Sequence, residues 1–290
     1  MTSPICAAPA FEPLSQTRAA LGESPVWSVA QGAWWWVDTE GRHLLCTAPD
    51  GATQTWPTPE TPGFVQVSGA RVLVGMETGI FDFDPGTARF RLRAPLETPG
   101  MRYNDACTDA AGRIWAGTMD LENLRENGAL YLFDPATDRL LPRLDGFRTI
   151  NGLAHDAGRG RIFFSDSHPS VQTVWTCDLD PAGNLGPRRV FARFDALAGR
   201  PDGAAFDSAH HYWIAGVGGA TLYRFDPEGG IAARHRVPVA APTKPAFGPG
   251  GVLALTSRAA APGAPEDAPD GRLLVACGPW YDTDTEKGQA

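Results

Sequence analysis

Four oxygen-bearing side chains, Glu23, Asn104, Asn151 and Asp202, open four stretches of similar design. Each is followed five positions later by a Ser or Asp (Ser28, Asp109, Asp156 and Asp207). A turn through Gly or small polar residues comes next, and then an aromatic or β-branched run: Trp34-Trp35-Trp36, Ile114-Trp115, Ile162-Phe163-Phe164 and Tyr212-Trp213-Ile214. Repeats that fold alike and stack around an axis bring their equivalent corners together, so residues far apart in the chain become neighbours. Two carboxylates and two carboxamides meeting at one point make a site for a hard cation. Oxygen-only donors suit Ca²⁺, Mg²⁺ or Mn²⁺, and Zn²⁺ also accepts them. Glu23 and Asp202 would balance the charge of one divalent ion and Asn151 would add a neutral oxygen, leaving positions for water and substrate. Spacing alone does not say which of the four oxygens meets metal and which meets substrate. Taken singly, an Asp or Asn at a strand start is more often an Asx-turn former than a ligand. The shared register argues otherwise here, because a turn former needs no partner in another repeat. Asp109, Asp156 and Asp207, which precede the turns, are expected to be hairpin residues.

The elements that must position these corners repeat as well. Apolar strands run into Asp-Pro at Asp84, Asp134, Asp180 and Asp226, which are 50, 46 and 46 residues apart. Asp-Pro is hairpin-turn chemistry, since Pro fixes φ and Asp bonds back to its own backbone. Six strand cores are predicted: residues 34–37, 72–74, 114–116, 162–164, 212–214 and 252–255. A period of about 40 to 50 residues with several short strands per unit marks a propeller blade. The expected fold is all-β, a six-bladed β-propeller forming a single domain over residues 12–280, with residues 281–290 as a flexible tail and residues 260–271 as a flexible loop. The 33 Gly and 26 Pro, spread along the chain, supply turns for many short strands and leave little room for long helices.

A formal charge of −8 and the lack of any Lys/Arg-rich run argue against a nucleic-acid partner. No stretch is apolar enough to span a bilayer, and residues 1–10 do not make a signal peptide. The five cysteines are widely separated and lack a Cys-x-x-Cys pair, which points to reduced thiols and a cytoplasmic setting; a monomer is expected. Trp34-Trp35-Trp36 is expected in the core rather than as a sugar platform. His210-His211 falls in a predicted turn, where exposure is expected, and no serine sits in a nucleophile elbow.

Seven segments carry a family resemblance: Gly22-Glu23-Ser24-Pro25-Val26-Trp27, Arg102-Tyr103-Asn104-Asp105, residues 112–119 (Gly-Arg-Ile-Trp-Ala-Gly-Thr-Met), Asn151-Gly152-Leu153, Asp166-Ser167, Pro201-Asp202-Gly203 and residues 243–248 (Thr-Lys-Pro-Ala-Phe-Gly). In this order the chain resembles the senescence-marker-protein, gluconolactonase and luciferin-regenerating-enzyme family, which includes regucalcin. The resemblance implies a six-bladed propeller, one divalent metal ion and hydrolysis of sugar lactones to aldonic acids. It implies Glu23, Asn151 and Asp202 as metal ligands, Arg102 and Asn104 as a substrate-contacting pair, and Glu122 as a further sugar-binding acid. On that basis the metal is expected to act as Lewis acid and Asp202 as general base. The alternatives are a non-catalytic calcium-binding propeller and a hydrolase of other lactones or esters. Two features depart from the family pattern: Phe247-Gly248-Pro249-Gly250-Gly251 before the sixth core, and the acidic segment after Gly271–Gly278.

Overall fold

Alternating strands and Asp-centred turns fold into six antiparallel sheets of four strands each, and the resulting architecture is a six-bladed β-propeller. The computed structural model describes residues 9–278. The innermost strands of blades one to six are Gly22–Ser28, Phe64–Ser68, Met101–Thr108, Ile150–Asp156, Arg200–Phe206 and Pro242–Phe247. Each packs against the next, and the sixth against the first, closing a ring around a central channel. Within five blades the strands follow chain order from the axis outward. In the sixth, the outermost strand is Glu12–Pro13, which pairs with Leu274–Cys277 and so ties the two ends of the chain into one sheet.

The six predicted cores are the second strands of the blades, and almost all of their residues are buried. These strands are buried on both faces, which is why they read as continuous apolar runs rather than alternating ones. Trp34, Trp35 and Trp36 are all core residues, as expected. Six apolar clusters fill the structure, one in each gap between neighbouring blades. The expected hairpin aspartates do more than shape turns. Asp109 accepts from Arg113 and from Trp115 Nε1, and Asp207 from Arg224 and Trp213 Nε1, so each anchors the tryptophan of its own second strand. His210 and His211 are only half-exposed, because each ring nitrogen meets an aspartate, Asp156 and Asp207.

Residues 260–271 lack regular structure, but the end of this segment is anchored. Asp270 accepts from the Ala240 amide and from Arg18, and Gly271 donates to Ser257 Oγ. Pro249–Gly251 forms a single 3-10 turn between the first two strands of the sixth blade. Among the described residues there is no α-helix, and no helix long and apolar enough to cross a membrane. The tail expected at residues 281–290 lies outside the described residues.

Candidate active site

A one-residue bulge interrupts the innermost strand in five blades, always near the same end of the channel. Glu23 faces Val37 and Val26 faces Trp35, so one residue between them is extra. The same offset separates Asn151 from Ala154, Pro201 from Ala204, Pro242 from Pro245, and Tyr103 from Asp105. A bulge re-aims side chains that strict alternation would turn away from each other. All four sequence-predicted corners lie at these bulges, but in two registers. Glu23 and Asn151 are the last paired residues before the bulge, whereas Asn104 and Asp202 sit inside it. Ser24 (φ 53°) and Gly152 (φ 62°) follow Glu23 and Asn151 in left-handed backbone. At Gly152 a β-carbon would also meet Tyr212 Oη at 2.6 Å and Ser165 Oγ at 2.8 Å.

The bulges deliver a continuous hydrogen-bonded chain across blades three and four. Arg102 Nη1 donates to Asn104 Oδ1 (2.8 Å), Asn104 Nδ2 to Asn151 Oδ1 (3.1 Å), and Asn151 Nδ2 to Ser167 Oγ (2.9 Å). Arg102 also donates to Tyr103 O and Asn104 to Ile150 O. Both amides are therefore fixed in orientation. Each amide oxygen accepts one hydrogen bond and keeps a second lone pair, but the partner of Asn104 Oδ1 is the cationic Arg102, whereas that of Asn151 Oδ1 is the neutral Asn104 amide.

Glu23 and Asp202 complete the chamber from blades one and five. Burial, then the charges of Asp202 and Asp105, push Glu23 well above the usual carboxylate range. Burial and Asp105 push Asp202 up to about 7, against the pull of Arg200 and Lys244. Two acids, Asp202 buried and Glu23 half-buried, that resist ionising together form a site that favours an added positive charge. Burial lowers the Arg102 guanidinium from its ordinary value, opposed by Glu23, Glu77, Glu40 and Asp202. The donor set fits a divalent cation: hard oxygens, two carboxylates and one amide oxygen with capacity to spare. Among the described residues no group of three His, Cys, Asp or Glu side chains is placed to hold a metal ion, so a cation here would draw on the amide oxygen as well.

Glu122 is exposed in the turn after Ile114–Asp120, beside Arg125. That turn reaches the chamber's end of the propeller, since Leu121 N donates to Gly100 O and Thr149 Oγ1 to Asn123 Oδ1. Glu122 itself stands apart from the Arg102–Ser167 chain, on the rim. Three residues of the chamber escaped the sequence reading of roles: Ser167, Asp105 and Lys244. Asp105 (2% exposed) and Lys244 (5% exposed) form an ion pair of 2.5 Å between blades three and six. A signal was available in composition: Lys244 and Lys287 are the only lysines among 25 basic residues, so this strand uses an ammonium where the chain otherwise uses guanidinium.

Residues 21–258 match the family described as SMP-30/Gluconolactonase/LRE-like region. The chain is 34% identical over 235 residues to a 6-deoxy-6-sulfogluconolactonase of Pseudomonas putida, covering 79% of this chain and 80% of that one. It is 32% identical over 252 residues to an L-arabinolactonase of Azospirillum brasilense, covering 84% and 83%. Among solved structures, a calcium-binding protein, regucalcin, from Agrobacterium tumefaciens superposes with a TM-score of 0.82 at 26% identity, covering 94% of each chain. With five bulged innermost strands gathering the predicted corners and a match spanning all but the ends, the chain belongs to the SMP-30/gluconolactonase/LRE-like family.

Proposed function

We propose that this protein hydrolyses sugar lactones with the aid of one divalent cation (Ca²⁺, Zn²⁺, Mn²⁺ or Mg²⁺) held by Glu23, Asn151 and Asp202. The observation that carries the reading is the fixed orientation of the two amides. Asn104 Oδ1 accepts from the cationic Arg102, which opposes a second positive charge on that oxygen, whereas Asn151 Oδ1 accepts only from the neutral Asn104 amide. This supports Asn151 as ligand and Asn104, with Arg102, as substrate contact. The names of the two lactonase relatives support the reaction class.

When bound, the cation would polarise the lactone carbonyl and lower the pKa of a coordinated water. Asp202 takes the proton as the water oxygen bonds to the carbonyl carbon. The ring C–O bond then breaks, and the ring oxygen receives that proton, giving the hydroxy acid. A carboxylate beside the water that the cation would hold is the group suited to both halves of this exchange. Arg102 orients sugar oxygens through its remaining guanidinium donors, and Asn104, whose two amide hydrogens go to Ile150 O and Asn151 Oδ1, accepts from a sugar hydroxyl through the second lone pair of Oδ1, with Glu122 at the rim to meet a hydroxyl further out. Four described cysteines are free, which fits a cytoplasmic enzyme.

The test is a panel of gluconate, galactonate, xylonate and arabinonate lactones, followed by pH indicator after chelation and after add-back of each ion. Hydrolysis above the spontaneous rate that disappears on chelation and returns with a metal is expected. Metal binding without lactone opening would replace this reading by a non-catalytic calcium-binding propeller; one structural neighbour is described as a calcium-binding protein.

A further inference from the structure

The floor of the chamber holds a third carboxylate that none of the roles above uses. Asp105 lies next to Asn104, is buried, and its charge reaches both Glu23 and Asp202. Its Oδ2 accepts from the Leu153 amide of blade four, and its Oδ1 from the Ala106 amide and from Lys244 Nζ. Lys244 comes from the bulge of the sixth blade, and Nζ also donates to Ala106 O, which Gln66 of blade two shares. The lysine stem lies flat on Gly203, beside Asp202: a β-carbon at Gly203 would stand 2.4 Å from Lys244 Cβ and 2.5 Å from Cγ. The ammonium is thus led past the glycine that follows Asp202 and ends on Asp105, inside the channel.

The charges then add simply. Glu23, Asp202 and Asp105 contribute three negative charges and Lys244 one positive, leaving the charge that a single divalent ion neutralises. Two guanidiniums also act on these acids: Arg102 on Glu23 and Asp202, and the exposed Arg200 on Asp202; Arg102 is shared with Glu77 and Glu40 and donates to Tyr103 O and Asn104 Oδ1, so Lys244 is the cation bonded to the chamber's own carboxylate. We propose that Lys244 is a built-in counter-ion that cancels Asp105 and so sets the affinity of the chamber for its cation. The lysine is a positioning residue for charge: it touches neither ligand oxygens nor substrate. The inference rests on the reading of Glu23, Asn151 and Asp202 as cation ligands.

A double-mutant cycle read by Mn²⁺ binding tests it, using calorimetry and the spin-resonance signal of free Mn²⁺ at pH 8 and fixed salt. Lys244→Met leaves three carboxylates and is expected to bind Mn²⁺ about tenfold or more tightly than the wild type. Asp105→Asn leaves the lysine facing Glu23 and Asp202 and is expected to bind about tenfold or more weakly. The double variant restores the net charge and is expected within about threefold of wild type. A pair that served only to brace the blades would weaken binding in all three, and that outcome overturns the proposal. If Lys244→Met does not fold, the other two decide: weak binding in Asp105→Asn with recovery in the double variant supports the counter-ion, and equal affinities overturn it. A wild type that binds one Mn²⁺, with variants indistinguishable from it, sinks this inference alone. A wild type that binds none sinks the cation reading and this inference together.

Discussion

The second blade and its five neighbours use the same strand in different ways. Phe64–Ser68 pairs with Arg71–Gly75 residue for residue, in unbroken register. Its side chains alternate regularly: Phe64 enters the apolar cluster shared with blade three, Val65 the one shared with blade one, and Gln66 reaches across to Thr108 and Ala106 O. It supplies none of Glu23, Asn104, Asn151 and Asp202. The other five innermost strands each carry one extra residue, and at or beside it stand Glu23, Asn104, Asn151, Asp202 and Lys244. Strand repetition alone builds a ring; the inserted residue turns the ring into a chamber. Local strain accompanies it at Ser24, a non-glycine residue in left-handed backbone, while Gly152 takes the same conformation without that cost.

The largest effect is expected from emptying a bulge of its charge. Asp202→Ala should abolish both cation binding and lactone turnover, whereas Asp202→Asn should retain a weakened ion and lose turnover by about 10²-fold or more. Calorimetry beside initial rates separates the two. Asn turning over at the wild-type rate would remove Asp202 as the base.

The contrast between blades is sharpened by paired glycine changes. Gly152→Ala meets both positive φ and the Tyr212 hydroxyl, and should cost about 1 to 3 kcal/mol in urea unfolding while lowering turnover. Gly69→Ala, in the hairpin of the second blade, has positive φ but open space around it. It should cost about 1 kcal/mol and leave turnover alone. Equal losses of activity at the two positions would break the distinction between bulged and regular strands.

Arg102 faces Met119 in regular pairing, one turn of the alternation before the bulge at Asn104. Arg102→Ala should lower kcat/KM about tenfold, the scale of one charge-assisted hydrogen bond, with cation affinity unchanged. A matching loss of cation affinity would make Arg102 part of the cation's own setting.

The smallest effect is a slope. Because Glu23 and Asp202 are raised in the folded chain, the metal-free protein holds more protons than the unfolded chain between about pH 4 and 7. That contribution is fully present below the unfolded values and is lost as pH rises through the folded ones. The melting temperature of the chelated protein should therefore fall from pH 5 to pH 7.5 relative to Asp202→Asn, in which the slope should flatten. Identical slopes in differential scanning calorimetry would argue that the two acids are not held apart from water as described.

The blades were legible because their signals are local. Trp34 to Val37 and Ile162 to Phe164 announce strands buried on both faces, and Asp84-Pro85 or Asp226-Pro227 announces the turn that ends the third strand. The corners were legible as a set, since Glu23, Asn104, Asn151 and Asp202 repeat at comparable distances from those strands. Their exact register was not. Counting five residues onward treats Glu23 and Asp202 as equivalent, yet one pairs with Val37 while the other is unpaired inside its bulge. An inserted residue leaves no mark on composition or periodicity. Asp105, Ser167 and Lys244 act through contacts between blades, 139 residues apart in the case of Lys244 and Asp105, and no local pattern announces such a meeting.

The pairing of Glu12–Pro13 with Leu274 and Val275 has a consequence for how the molecule comes into being. Joining Pro13 to Leu274, 261 residues apart, costs about 5 kcal/mol of loop-closure entropy, by the logarithmic scaling of flexible loops. The final blade cannot be completed until nearly the whole chain has been synthesised, so the first five must wait as an open arc with one apolar face at each end. Lys244 belongs to the blade that shuts this arc. The chamber's charge is therefore balanced only at the moment the ring becomes whole, which couples readiness for a cation to the last event of assembly.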